Sequence, residues 1–350
     1  MSGAELAAPF ARYLAARLPE IEPGAQDIEV REIARIHGGG SRETYRSLIT
    51  FTRDGDSRER RLILRRDPPS GIIETERTIE FDAYRSFHGT GVPVPEPLFL
   101  ETGTEWLERP FFVMEEIRDA EPGKPFNADP YGEHAAKVGQ QFYDALGIIS
   151  TTPPGDIPLS AHFETIAPED CWRVQLDHWE QVIDEDQLEP QPLVRAAIRW
   201  MRANPPPPPE KLAVVHGDYR NGNFLVDSAG NIKAILDWEL CHLGDPIEDL
   251  AWSLDPMWGP QGGNPGGMLP EDEAIRLWEE KTGLKADPES LMWWRLFAAV
   301  KGMGIWISSS KEFATAQNLD PVVAFSGWFT YQKHSELLIE YMKKIREARP

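Results

Sequence analysis

Three short apolar runs follow one another closely near the middle of the chain: Leu212–Val215, Phe224–Asp227 and Ile232–Leu236. Runs so short are strands rather than helices. Five consecutive prolines, Pro205–Pro209, precede them and form a stiff polyproline II spacer. Ser228-Ala229-Gly230-Asn231 turns the chain between the second and third run. The first two are separated by a polar segment instead, His216-Gly217-Asp218-Tyr219-Arg220-Asn221-Gly222-Asn223, and Asp237 closes the third. A small sheet built this way carries two carboxylates and a carboxamide on its loop edges, positions that can converge on one point.

At 350 residues the chain exceeds one ordinary core, so two lobes are expected. Leu6, Phe10, Leu14 and Leu18 predict a helix over 4–18, stopped by Pro19. Strands follow from Ile28 to Ile36, over Thr44–Thr52 and over Arg61–Arg66, with Asp54-Gly55 in a hairpin turn. Glu74–His88 reads as a helix, and two further strands follow, one of them Phe111–Met114. Residues 118–130 read as a connector. Helices are expected at about 131–151, 168–186 and 190–203, and again after Pro246. The pattern is α+β, with a sheet-rich first lobe over 1–117 and a mostly helical second lobe over 118–350.

Phosphoryl transfer requires the central arrangement. Its transition state is loose and needs positioning and charge neutralisation more than covalent help. Asp218 is the candidate base that orients the attacking hydroxyl and accepts its proton. Asn223 and Asp237 offer hard oxygens to magnesium. The protein-kinase catalytic loop places its Asn five residues after its Asp, the spacing of Asp218 and Asn223.

These motifs resemble the aminoglycoside phosphotransferase and choline kinase family, which has a protein-kinase-like two-lobed fold. The resemblance spans about residues 28–340. It implies ATP, or GTP, as donor with magnesium, and a small-molecule acceptor. Gly38, Gly39, Gly40 and Ser41 fall where a phosphate-covering loop belongs, without the usual Gly-x-Gly-x-x-Gly spacing. Arg65 stands where the family usually has a lysine. It is a better bidentate phosphate ligand but a poorer point charge. Glu80 is its candidate partner, against a reading as a solvated helix face. Met114, Glu115 and Glu116 fall where backbone groups meet adenine. Asp249, before Leu250-Ala251, would support the catalytic loop through hydrogen bonds.

The longer pattern HGDYRNGNFLVD…ILDWELCHLGDPIEDLAW is similar to the kinase-like domains associated with acyl-CoA dehydrogenases. That likeness points to a hydroxyl on an acyl chain or acyl-CoA ester. Aminoglycoside, macrolide and choline-type acceptors remain alternatives. Arg220 pairs either with an anionic substrate or with a nearby carboxylate. Trp252, Trp258, Trp293, Trp294 and Trp306 either line a pocket or form helix-packing core.

The net charge of −21 lacks the basic footprint of a nucleic-acid binder. Two distant cysteines and no evident leader suggest the cytoplasm. The apolar stretch Leu296–Ile307 is interrupted by Lys301 and too short for a bilayer, so no membrane partner is expected. No oligomeric state is specified. Three rivals compete: a catalytically silent kinase-like binder, a metal hydrolase using His216, Asp218 and His242, and a nicotinamide enzyme read from the glycine loop.

Overall fold

The computed structural model describes residues 3–36, 43–67 and 77–347. The chain forms two compact units, one of Met1–His88 with Val94–Arg118, the other of Gly89–Pro93 with Asp119–Pro350. Gly38, Gly39, Gly40 and Ser41 lie outside the described residues, as does the expected helix start at Glu74.

In the first unit β1 (Gln26–Ile36), β2 (Glu43–Arg53), β3 (Asp56–Arg66), β4 (Pro97–Glu101) and β5 (Phe111–Glu115) form one sheet ordered β1-β2-β3-β5-β4. All its pairings are antiparallel. Strand β2 alternates strictly, burying Tyr45, Ser47, Ile49 and Phe51 on one face. Ser47 is tolerated there because its hydroxyl donates to the Leu62 carbonyl at 3.2 Å. Strand β3 begins at Asp56, earlier than its apolar residues suggest. Its exposed charged half is set by register with β2, Arg53 opposite Asp56 through Glu43 opposite Arg66.

Helix α1 (Gly3–Arg17) lays Leu6, Phe10, Tyr13 and Leu14 on this face, joined by Phe111 and Val113 of β5. Phe112 points the other way, to Phe81 and Tyr84 of α2 (Arg77–Phe87). The sheet is therefore covered on both sides within this unit. Phe10 is fully buried, so Phe10→Ala should lower unfolding stability by about 3–5 kcal/mol in a denaturant titration.

The second unit carries the small strands. β7 (Ala213–Val215) pairs with β10 (His242–Gly244), and β6 (Ala120–Pro122), β8 (Phe224–Asp227) and β9 (Ile232–Ile235) form a three-stranded sheet in that order. Strands β6 and β10 add to the sequence reading, which had a connector over 118–130 and no element at 242–244. Each is three residues long and owes its existence to its partner, and Pro122 is acceptable because β6 is an edge.

The helices of this unit are α3 (Ala135–Thr151), α4 (Cys171–Asp186), α5 (Pro192–Ala203), α6 (Ile247–Ser253), α7 (Glu271–Thr282), α8 (Pro288–Ala314), α9 (Pro321–Phe325) and α10 (Tyr331–Glu347). Helix α8 is the hub: apolar around most of its circumference, it packs against α4, α6 and α10. Asp287 caps it by accepting from the N–H groups of Glu289 and Ser290, with Pro288 at the first helical position. A Cβ on Gly302 would lie 2.3 Å from the buried His334 ring of α10, so only glycine admits that ring. No helix among the described residues is long and apolar enough to cross a membrane.

Candidate active site

The segment His216–Asn223 leaves β7 and enters β8. Gly217 adopts φ +83°, and a Cβ there would lie 2.2 Å from the Leu240 carbonyl oxygen. No L side chain fits that turn. Asp249, in the first turn of α6, then fixes the loop. Its carboxylate accepts the backbone N–H groups of His216 at 2.6 Å and Gly217 at 3.0 Å. Burial, with Glu248 beside it, pushes the Asp249 carboxyl up to about 7, while the two N–H donors and Lys301 oppose that rise.

The His216 ring bridges this loop to β9. The Asp218 N–H donates to Nδ1 at 3.1 Å, so the ring proton lies on Nε2 and is donated to the Leu236 carbonyl at 3.0 Å. The ring packs on Trp238, 4.4 Å between centroids. Burial lowers the His216 pKa to about 4, which keeps the bridge neutral.

Asp218 is held by three donors. Arg220 Nε at 2.9 Å and Trp252 Nε1 at 2.8 Å reach Oδ1, and Asn223 Nδ2 reaches Oδ2 at 2.6 Å. Asn223 Nδ2 also donates to the Asp218 carbonyl, leaving its own Oδ1 outside these bonds. Register brings Asp237 to the same end of the hairpin: Phe224 faces Ile235, and the Leu236 N–H donates to the Asn223 carbonyl at 2.8 Å. Asp237 itself sits at φ 62°, ψ 57°, a left-handed conformation that costs an aspartate about 1 kcal/mol or more.

Arg220 takes the carboxylate alternative, with Asp218 itself as partner, and its guanidinium lies 4.3 Å from the Trp258 ring centroid. The five tryptophans are all buried and divide in two. Trp252, Trp258 and Trp306 surround His334, while Trp293 stacks on Phe297 and Trp294 meets Phe297 edge-on. They are packing core.

Lys301 is a site residue that sequence reasoning missed. Its ammonium, almost wholly buried, donates to the Gly217 carbonyl and to Glu248 at 3.2 Å. His242 meets the other Glu248 oxygen at 3.1 Å. Burial raises the Glu248 carboxyl, but His242 and Lys301 outweigh it and hold the group below its usual range. The missed signal was the ionisable residue inside Leu296–Ile307, which must find a partner if that run is buried.

In the first unit Arg65 Nη1 meets Glu80 Oε1 at 2.5 Å, both side chains buried, so Glu80 is no solvated face. Met114 is buried. The N–H groups of Glu115 and Glu116 already donate to the carbonyls of Glu96 and Arg61, so a ligand would have to displace those bonds to use them.

The hydrolase reading fails on these contacts. Both ring nitrogens of His216 and of His242 are engaged within the protein. Among the described residues no group of three or more His, Cys, Asp or Glu is placed to hold a metal.

Residues 32–284 match the model of the phosphotransferase enzyme family. The chain belongs to that family. Its fold is protein-kinase-like: a candidate aminoglycoside phosphotransferase from Ralstonia eutropha superposes with TM-score 0.71 at 20% identity, covering 96% of this chain and 98% of that one. The choline kinase LicA from Streptococcus pneumoniae gives 0.58 at 14% identity, covering 95% and 99%. Among curated proteins, this phosphotransferase is 25% identical over 195 residues to acyl-CoA dehydrogenase family member 11 of Gallus gallus, covering 55% of the chain and 24% of the relative. For the same-named protein of Rattus norvegicus the figures are 24% over 347 residues, 87% and 43%. The chain thus spans less than half the length of these relatives.

Two outcomes follow from the bracing of the loop. Lys301→Met leaves Glu248 with one partner and the Gly217 carbonyl with none, and should cost on the order of 3 kcal/mol in chemical denaturation. For His216 the folded pKa lies below the unfolded 6.5. Its contribution is complete above pH 6.5 and is lost as pH falls towards 4, at up to about 1.4 kcal/mol per pH unit. Denaturant titrations at pH 7 and 5 should show wild type losing more stability than His216→Gln over that interval.

Proposed function

We propose that the protein transfers the γ-phosphoryl group of ATP to a hydroxyl on a small molecule, with Asp218 as the base. The observation that carries this reading is the state of the Asp218 carboxylate. Two ionised oxygens offer about four acceptor positions. Oδ1 uses two on Arg220 and Trp252, and Oδ2 uses one on Asn223. One position on Oδ2 remains for an incoming hydroxyl. A base fixed this firmly orients the acceptor, and orientation is what a loose phosphoryl-transfer transition state needs.

Magnesium fits the oxygens at the end of the β8–β9 hairpin. Asn223 spends its amide N–H on Asp218 and so has only a carbonyl oxygen to offer, and Asp237 adds a carboxylate. Two hard ligands suit an ion that keeps several waters and takes phosphate oxygens. When bound, it would neutralise phosphate charge. In the first unit Arg65, oriented by Glu80, would meet a nucleotide phosphate, and the backbone of Met114–Glu116 would meet adenine; Gly38, Gly39, Gly40 and Ser41 lie outside the described residues. GTP is the alternative donor. Asp249 holds the loop rather than touching the reactants.

For the acceptor, the likeness to acyl-CoA dehydrogenase family members supports a hydroxyacyl or acyl-CoA-type molecule. Structural neighbours crystallised with hygromycin B or kanamycin, and a choline kinase, favour amino sugars or choline as the second reading. A panel of these acceptors with ATP and magnesium, followed by phosphate transfer, separates them. Asp218→Ala should lose about a hundredfold or more in kcat with ATP affinity retained. Full activity in that variant would sink the assignment. ATP binding with no acceptor turned over would favour a silent kinase-like binder.

A further inference from the structure

The second unit exposes an apolar strip beside the loop that carries Asp218. Phe126 is 60% exposed, Val322 60%, Phe325 47% and Trp328 63%. Single exposed apolar residues need no explanation. Phe126 and Phe325, however, are joined through Phe329: the Phe126 ring meets Phe329 edge-on at 6.5 Å, and Phe329 stacks on Phe325 at 5.0 Å, with Val322 and Trp328 in the same exposed segment of the chain. The run from Pro321 to Thr330 contains no charged residue, in a chain where 27% of residues are charged. Its second half, Ser326–Thr330, is a π-helical turn tied to α8 by the Ser310 hydroxyl, which donates to the Gly327 carbonyl at 3.0 Å. Contiguous exposed apolar surface of this kind marks a binding site.

Its place in the fold says what it binds. Pro125 and Phe126 lie against the catalytic segment. A Cβ on Gly222 would fall 3.7 Å from the Pro125 ring and 2.7 Å from Arg220 Nη1, and a Cβ on Gly123 would fall 2.2 Å from Asn221 Oδ1. The surface therefore runs from Arg220 and Gly222 through Pro125 to Phe126, and on to Phe329 and Phe325. The buried tryptophans of the core offer no such surface.

We propose that this strip is the subsite for an apolar chain on the acceptor: an acyl chain whose hydroxyl reaches Asp218 while its tail lies across Phe126 towards Phe325 and Trp328. The proposal rests on the kinase reading above and narrows its acceptor to an amphipathic molecule. An amino sugar or choline has no chain to cover these residues. The uncharged run and its continuity with the catalytic segment favour a ligand tail over a second copy of the chain or a membrane.

Calorimetric titration of the whole protein with hydroxyacyl-CoA esters of increasing chain length tests this, using wild type, Phe126→Ser and Trp328→Ser. Both residues are exposed, so the variants should fold, and unchanged ATP affinity checks that they do. Wild-type affinity should rise about fourfold for each methylene that reaches the strip, and both variants should flatten that dependence. Affinity independent of chain length, or an equal slope in all three proteins, overturns the proposal. So does a wild-type dimer in gel filtration that either substitution dissociates, or binding to neutral phosphatidylcholine vesicles that either substitution abolishes. The kinase reading is judged separately. Chain-length-dependent binding without phosphate transfer keeps the strip and removes the kinase reading. Transfer to amino sugars or choline, with no dependence on chain length, does the reverse.

Discussion

The candidate site depends on one buried carboxylate that holds the loop backbone. Asp249 accepts two backbone N–H groups from a turn that only glycine can make, and so decides where Asp218 stands. The arrangement works against burial, which raises the Asp249 carboxyl to about 7. Its neighbours share the burden. Lys301 takes the carbonyl side of Gly217 and pairs with Glu248, and His216 ties the Asp218 amide to the end of β9. The loop is thereby gripped from α6, α8 and β9. A buried ion pair adds little net stability over apolar packing, whereas removing one partner is expensive. Glu248 and Lys301 are better explained as a positioning device than as a source of stability.

What could be read in advance follows the range of the forces involved. The spacing of Asp218, Asn223 and Asp237 is local, and the hairpin register that brings the last two to one end follows from short strands and a turn. Strand β2 was legible because one face is buried and its side chains alternate. Strands β6 and β10 were not, because three residues carry no periodicity and only the partner makes them strands. The charged start of β3 was hidden for the same reason. Trp252 looked like pocket or core, and only tertiary packing shows that it is core that also hydrogen-bonds Asp218. Glu80 and Arg65 were candidates by position, and burial makes them partners.

Arg220 shows how a bland and a specific reading can merge. It forms the ordinary salt bridge, but with the proposed base, while stacked on Trp258. The bond from Arg220 Nε fixes one oxygen of that carboxylate in place. A carboxylate held this way suits the proposed task of orienting an acceptor hydroxyl.

The same pairing bears on how a nucleotide would be held by a chain of net charge −21. Three cations discussed above are paired: Arg65 with Glu80 in the first unit, and Arg220 with Asp218 and Lys301 with Glu248 in the second. On the proposed reading a triphosphate would meet a protein of net negative charge. A divalent cation on its phosphates would then supply the neutralisation, and oxygens such as those of Asn223 and Asp237 would suit that complex. Where the resemblance puts a lysine, this chain has an arginine whose guanidinium is buried against Glu80, a pairing that fixes its orientation.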